Sequence, residues 1–63
     1  MLKTYTLYAH HAEQGRLFEP FLGQGDGDAF ARARELLASD DAIHLVEVHF
    51  GDQHLFSVGA SSL

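Results

Sequence analysis

Apolar and polar residues alternate along the stretch that begins at Lys3. In "KTYTLYAH", Lys3 to His10, Tyr5, Leu7 and Ala9 fall on one side of an extended chain, and Thr4, Thr6 and Tyr8 on the other. The β-branched and aromatic content suits a strand. "AEQG" follows, and Gly15 can take the left-handed conformation that closes a short hairpin. "RLFEPFL", Arg16 to Leu22, is the returning strand. Pro20 has no amide hydrogen to give to a ladder, so this strand is predicted at a sheet edge.

The period changes after a glycine-rich stretch. "DAFARARELLAS", Asp28 to Ser39, is made of strong helix formers. Ala29, Phe30, Ala33, Leu36 and Leu37 form one stripe, and Asp28, Arg32, Glu35 and Ser39 lie opposite. Asp28 and Arg32 are spaced for an i, i+4 pair. Strand alternation returns in "AIHLVEVHF", Ala42 to Phe50. Val46, Val48 and Phe50 line one face, and Ile43, Leu45, Glu47 and His49 the other. "GDQ" is a turn and "HLFSV", His54 to Val58, the last strand. Pairing Phe50 with His54 across a three-residue loop sets Val46, Val48, Phe56 and Val58 on one side, because burial of one face sets the register.

These elements predict an α+β fold: a four-stranded antiparallel sheet connected β-β-α-β-β, in spatial order 2-1-3-4, with one helix on one face. Residues 1–58 form a single small domain, and "GASSL", 59–63, a flexible C-terminal tail. One short helix covers one face only. The other would carry Thr4, Thr6, Tyr8, Ile43, Leu45, His49 and Leu55, more apolar than a solvated face should be. Such a patch marks an association surface. A chain of 63 residues buries only about 60% of its unfolded surface and gains from a partner subunit. Two copies stacked face to face would enlarge the core, and a two-fold dimer is the commonest closed arrangement.

Charge and composition exclude several partners. The net charge is −5, with four basic against nine acidic residues. Lys3, Arg16, Arg32 and Arg34 are scattered and make no basic stripe for nucleic acid or an anionic membrane. No apolar run approaches the ~20 residues of a spanning helix, and the first fifteen residues lack a signal peptide's apolar core. The absence of cysteine removes disulfides and thiolate chemistry and fits a cytoplasmic chain.

Candidate chemistry is sparse. "GQGDGDAF", Gly23 to Phe30, resembles a phosphate cradle, but its G-x-G-x-G spacing is neither the dinucleotide fingerprint nor the Walker loop. Asp26 and Asp28 also stand where the anion would sit. Calcium needs six to eight oxygens, and Asp40 and Asp41 lie beyond the far end of the helix. As a helix start the stretch makes sense throughout: Asp26 is the expected N-cap and Asp28 a favourable charge at the positive end of the dipole. Five histidines are many for this length. His10 and His11 point to opposite faces, as do His44 and His49, and His49 and His54 do so in the preferred register. No metal or cofactor is expected, and His10 and His49 are only weak metal candidates, since both can share the helix-free face. Glu19 and Glu47 can share a sheet face, but no nucleophile elbow surrounds Ser39, Ser57, Ser61 or Ser62. An enzyme is therefore not expected.

"AFARARELL" followed by "IHLVEVHFGDQHLFSV" resembles short bacterial proteins of unknown function, in which an alanine- and arginine-rich helix precedes a "V-E-V" strand, a Gly/Asp turn and a closing apolar strand. That resemblance implies no activity. Gly25-Asp26 and "ARELL", Ala33 to Leu37, also resemble HicB-type antitoxins, where a hairpin leads through a Gly-Asp turn into a helix. The functional expectation is a homodimeric protein–protein interaction module. The alternative is a histidine-based metal- or ligand-binding regulator.

Overall fold

The computed structural model describes residues 1–59. Strands β1 (Lys3–His11), β2 (Gly15–Gly23), β3 (Ile43–Phe50) and β4 (Gln53–Gly59) form one antiparallel sheet in the order β2-β1-β3-β4, and helix α1 (Asp26–Ser39) connects its two hairpins. The expected α+β architecture and strand order are those observed. Of the tail expected over 59–63, Gly59 instead ends β4 opposite Leu45, and residues 60–63 lie outside the described part.

The helix packs mainly on β3. Ala29 and Ala33 lose all solvent contact there, and their small side chains let the helix axis approach the sheet closely. Beneath them Tyr5, Leu7, Val46 and Val48 are fully buried, with Ala9 and Ile43 completing the core. Phe30, expected on the same stripe, sits at the margin: it is exposed, near Phe56 at 6.2 Å between ring centroids and beside the Arg34 guanidinium. The flanks are tied by charge. Arg32 donates from Nε and Nη2 to both oxygens of Glu19 on β2, at 2.6 and 2.8 Å, and from Nη1 to Glu35 at 3.1 Å. The expected partner Asp28 instead accepts the Gln24 amide at 2.8 Å.

The glycine-rich stretch is a helix start, with one reassignment. Gly25, in extended conformation, occupies the N-cap and offers no side chain. Asp26 is the first helical residue, and it accepts the hydroxyl of buried Tyr5 at 2.9 Å. That hydroxyl is buried and needs a partner, and the Asp26 carboxylate supplies it. Burial together with this bond raises the Tyr5 pKa.

Two irregularities decide which residues face the helix. Between the pairs His10–Leu45 and His11–Ile43, β3 carries one extra residue, His44. A bulge of this kind breaks the two-residue alternation. Ile43 therefore turns into the core rather than onto the open face where alternation alone would put it. The second lies between the pairs Val48–Phe56 and His49–His54, where Leu55 is the extra residue of β4. Leu55 consequently packs against the core cluster, again not on the open face. The same bulge lets a two-residue turn, Gly51-Asp52, replace the expected three-residue loop while Val46–Val58 and Val48–Phe56 keep their pairing. Gly15 and Gly51 supply the positive φ values, 78° and 62°, that the two hairpins require.

His11 joins the first hairpin to the far end of the helix. It is 8% exposed. Its Nδ1 accepts the amides of Glu13 and Gln14, both at 3.0 Å, and its Nε2 stands 3.2 Å from Asp40 Oδ2. A nitrogen that accepts two amide hydrogens carries no proton, so the ring is the neutral Nε2–H tautomer and donates toward Asp40. Asp40 also accepts the Ala42 amide at 2.9 Å. His11→Ala leaves the turn amides without their acceptor and is expected to cost about 1–3 kcal/mol in chemical denaturation. Nitrogen NMR of the wild-type ring is expected to show the Nε2–H form.

The Glu19–Arg32 fork yields a pH prediction. The guanidinium holds the Glu19 carboxyl below the usual 4.5, against the opposing effect of partial burial. A depressed folded value means that the pair stabilises above pH 4.5 and that this contribution fades as pH falls through the folded value. Both side chains are about one-third exposed, so solvent screening limits the pair. Glu19→Gln is expected to lower stability by about 0.5–1 kcal/mol at pH 7. The gap to wild type should close in denaturant titrations below pH 4.5.

Candidate functional site

The sheet face away from the helix is formed by the complementary set of strand positions. Thr4, Thr6, Tyr8 and His10 from β1 lie beside Arg16, Phe18, Pro20 and Leu22 from β2. Leu45, Glu47 and His49 from β3 lie beside His54 and Ser57 from β4. Five of the seven expected interface residues therefore share this face: Thr4, Thr6, Tyr8, Leu45 and His49. Ile43 and Leu55 do not, for the reason given by the two bulges.

Four rings cross the face in one row, one from each strand. Phe18, Tyr8, His49 and His54 have successive centroid separations of 6.4, 4.8 and 5.1 Å, and the last two contacts are edge-to-face. Cross-strand neighbours of this kind stabilise a sheet pairwise. The Arg16 guanidinium caps the row, 4.3 Å above the Tyr8 ring. Phe18 at its β2 end is 71% exposed.

Glu47 lies beside this row, between two imidazoles. Its Oε2 is 2.9 Å from His10 Nε2 and its Oε1 is 3.1 Å from His49 Nε2. His10 and His49, expected to share the face, do so with a carboxylate between them. The hydrogen bond from His49, and secondarily His10, holds the Glu47 pKa below 4.5 although burial acts in the opposite direction. His54 is the member that alternation misplaces. The bulge at Leu55 brings it onto the same face, directly opposite His49, with its Nε2 2.9 Å from Ser57 Oγ. One ligand atom each from Glu47, His49 and His54 lies within 4.8 Å of the other two. Neither the residue spacing nor the period reveals this trio, because a bulge leaves no residue-type signature here.

Other expected constellations are separated. Glu19 faces the helix and Glu47 the open side, so they form no carboxylate pair. Asp26 and Asp28 begin the helix while Asp40 follows its end, which disperses the oxygens a calcium site would need. The Ser57–His54 contact lies exposed on an edge strand, without the water-excluding pocket that makes such a pair nucleophilic. On the helix side an open groove between α1 and β2 is lined by Leu7, Ala9, Leu17, Leu36 and Ile43. Its volume of about 230 Å3 falls below the ~300–1,000 Å3 of small-molecule pockets.

No protein-family model, curated protein or solved structure matches the chain. The two resemblances drawn from residues 25–58 thus rest on those residues alone. The electrostatics of the open face are directly measurable. In a carbon-NMR titration, the Glu47 carboxyl is expected to titrate below 4.5, and His49→Ala to move that midpoint upward.

Proposed function

We propose that the protein is a homodimeric protein–protein interaction module whose contact surface is the open face of the sheet. The observation that carries this reading is the ring row Phe18–Tyr8–His49–His54, which spans all four strands with no helix over it. Aromatic side chains and arginine are the groups that dominate association surfaces, and Phe18 and Arg16 stand at the accessible end of the row. A small chain with one thin core gains by covering this face, as the limited burial available to a domain of this size requires.

A second copy is the occupant that the charge distribution favours. The chain carries −5 overall, yet among the strand residues of this face Arg16 and Glu47 are the ones with formal charge. The remaining acidic groups lie in turns, on the helix or on the helix side. Two copies can therefore stack these faces without bringing their net charges together. Four strands ~4.8 Å apart and about 27 Å long present roughly 500 Å2 per copy. A face-to-face pair then buries about 1,000 Å2, the size at which specific interfaces begin. That area fits a reversible dimer. The reading includes a cytoplasmic setting, which the lack of cysteine suits, and assigns no catalytic step; no helix of the described residues is long and apolar enough to cross a membrane.

Sedimentation velocity is expected to show a concentration-dependent monomer–dimer equilibrium. Tyr8→Glu, which sets a carboxylate in the middle of the face, should shift it to monomer while leaving the circular dichroism spectrum unchanged. A chain that stays monomeric at millimolar concentration, or a dimer that survives Tyr8→Glu and Phe18→Ser together, overturns the reading.

A further inference from the structure

We propose that Glu47, His49 and His54 form a binding site for a divalent transition metal of the zinc class, with all three ligands drawn from one chain. The site goes beyond self-association, since it is complete within a single copy.

The backbone prepares the convergence. Glu47 and His49 are two residues apart on β3, so their side chains emerge on one face. His54 joins them from β4 through the bulge at Leu55. Their donor atoms already lie within 4.8 Å of each other. A tetrahedral ion with bonds of ~2.0–2.1 Å separates its ligand atoms by about 3.4 Å. The Glu47 Oε1–His49 Nε2 distance of 3.1 Å is close to that edge. The remaining closure falls to His54, whose exposed side chain can rotate toward the ion. Two imidazoles and one carboxylate are a zinc-type donor set, and their mixture of nitrogen and oxygen suits zinc, nickel or copper rather than magnesium or calcium. The fourth position is left to water or an incoming ligand.

Neighbouring residues stand where outer-shell partners are needed. A ligating carboxylate is held by a bond to its other oxygen, and a ligating imidazole by a bond to its other nitrogen. His10 Nε2 is 2.9 Å from Glu47 Oε2, the oxygen turned away from His49. Ser57 Oγ is 2.9 Å from His54 Nε2, leaving Nδ1 of that ring for the ion.

The test is a titration of the tag-free chain with zinc chloride, at a dilution where sedimentation shows monomer, followed by calorimetry and by NMR of the imidazole rings. One zinc per chain is expected, with shifts at His49 and His54 and none at His44. His54→Ala should weaken binding by more than about 100-fold, His10→Gln by about 10-fold as an outer-shell loss, and His44→Ala not at all. Absence of binding overturns the proposal. So does binding that survives His54→Ala, or that falls equally with His44→Ala. The ring-shift map of the unaltered chain decides the matter by itself should a variant fail to fold. A chain that dimerises but takes no zinc removes this site and leaves the association reading standing; a monomer that binds zinc does the reverse.

Discussion

One helix is too narrow to shield both sides of a four-stranded sheet, and the rest of the structure follows from that constraint. Strand alternation sorts side chains into two sets, and only one set can lie beneath α1. The contact is drawn tight by Ala29 and Ala33, which have no remaining exposure. Close approach over β3 gives a dense core around Tyr5, Leu7, Val46 and Val48, but it draws the helix off β2 and leaves Leu17 38% exposed beside a groove. The side without a helix is left with rings, imidazoles and a single carboxylate.

Polar ties compensate for the small core at its margins. Tyr5 reaches Asp26 at the helix start, Arg32 grips Glu19 midway, and His11 links the first turn to Asp40 beyond the helix end. Each joins elements distant in sequence, so each resists the helix lifting from the sheet. Among the described residues no buried side-chain nitrogen or oxygen lacks a partner. This satisfaction matters in a domain with few fully buried large side chains, where one unmet polar group is a sizeable fraction of total stability.

On the open side the single helix leaves rings and polar side chains uncovered together. Glu47 is held between His10 and His49, and His54 and Ser57 complete the group from the neighbouring strand. The ring row alongside offers apolar area, and the carboxylate–imidazole group offers donors for an ion. The two features share His49 and His54, so an ion bound there would lie within the surface proposed for self-association.

Amino-acid pattern alone determined the order of elements, the antiparallel sheet with Pro20 on an edge strand, and the division of β1 into Tyr5, Leu7 and Ala9 against Thr4, Thr6 and Tyr8. These follow from local periodicity and from the chemistry of proline and glycine, which act within a few residues. Tertiary structure decided the positions of Ile43, Leu55 and His54, the role of Asp26, and the tautomer of His11. A bulge sets the side chains on its two sides one step out of phase, and its place depends on how two strands pair, not on either strand alone. Asp26 serves Tyr5 because folding brings a buried hydroxyl 21 residues away into reach. The trio Glu47, His49 and His54 therefore exists only once β4 is paired with its extra residue at Leu55.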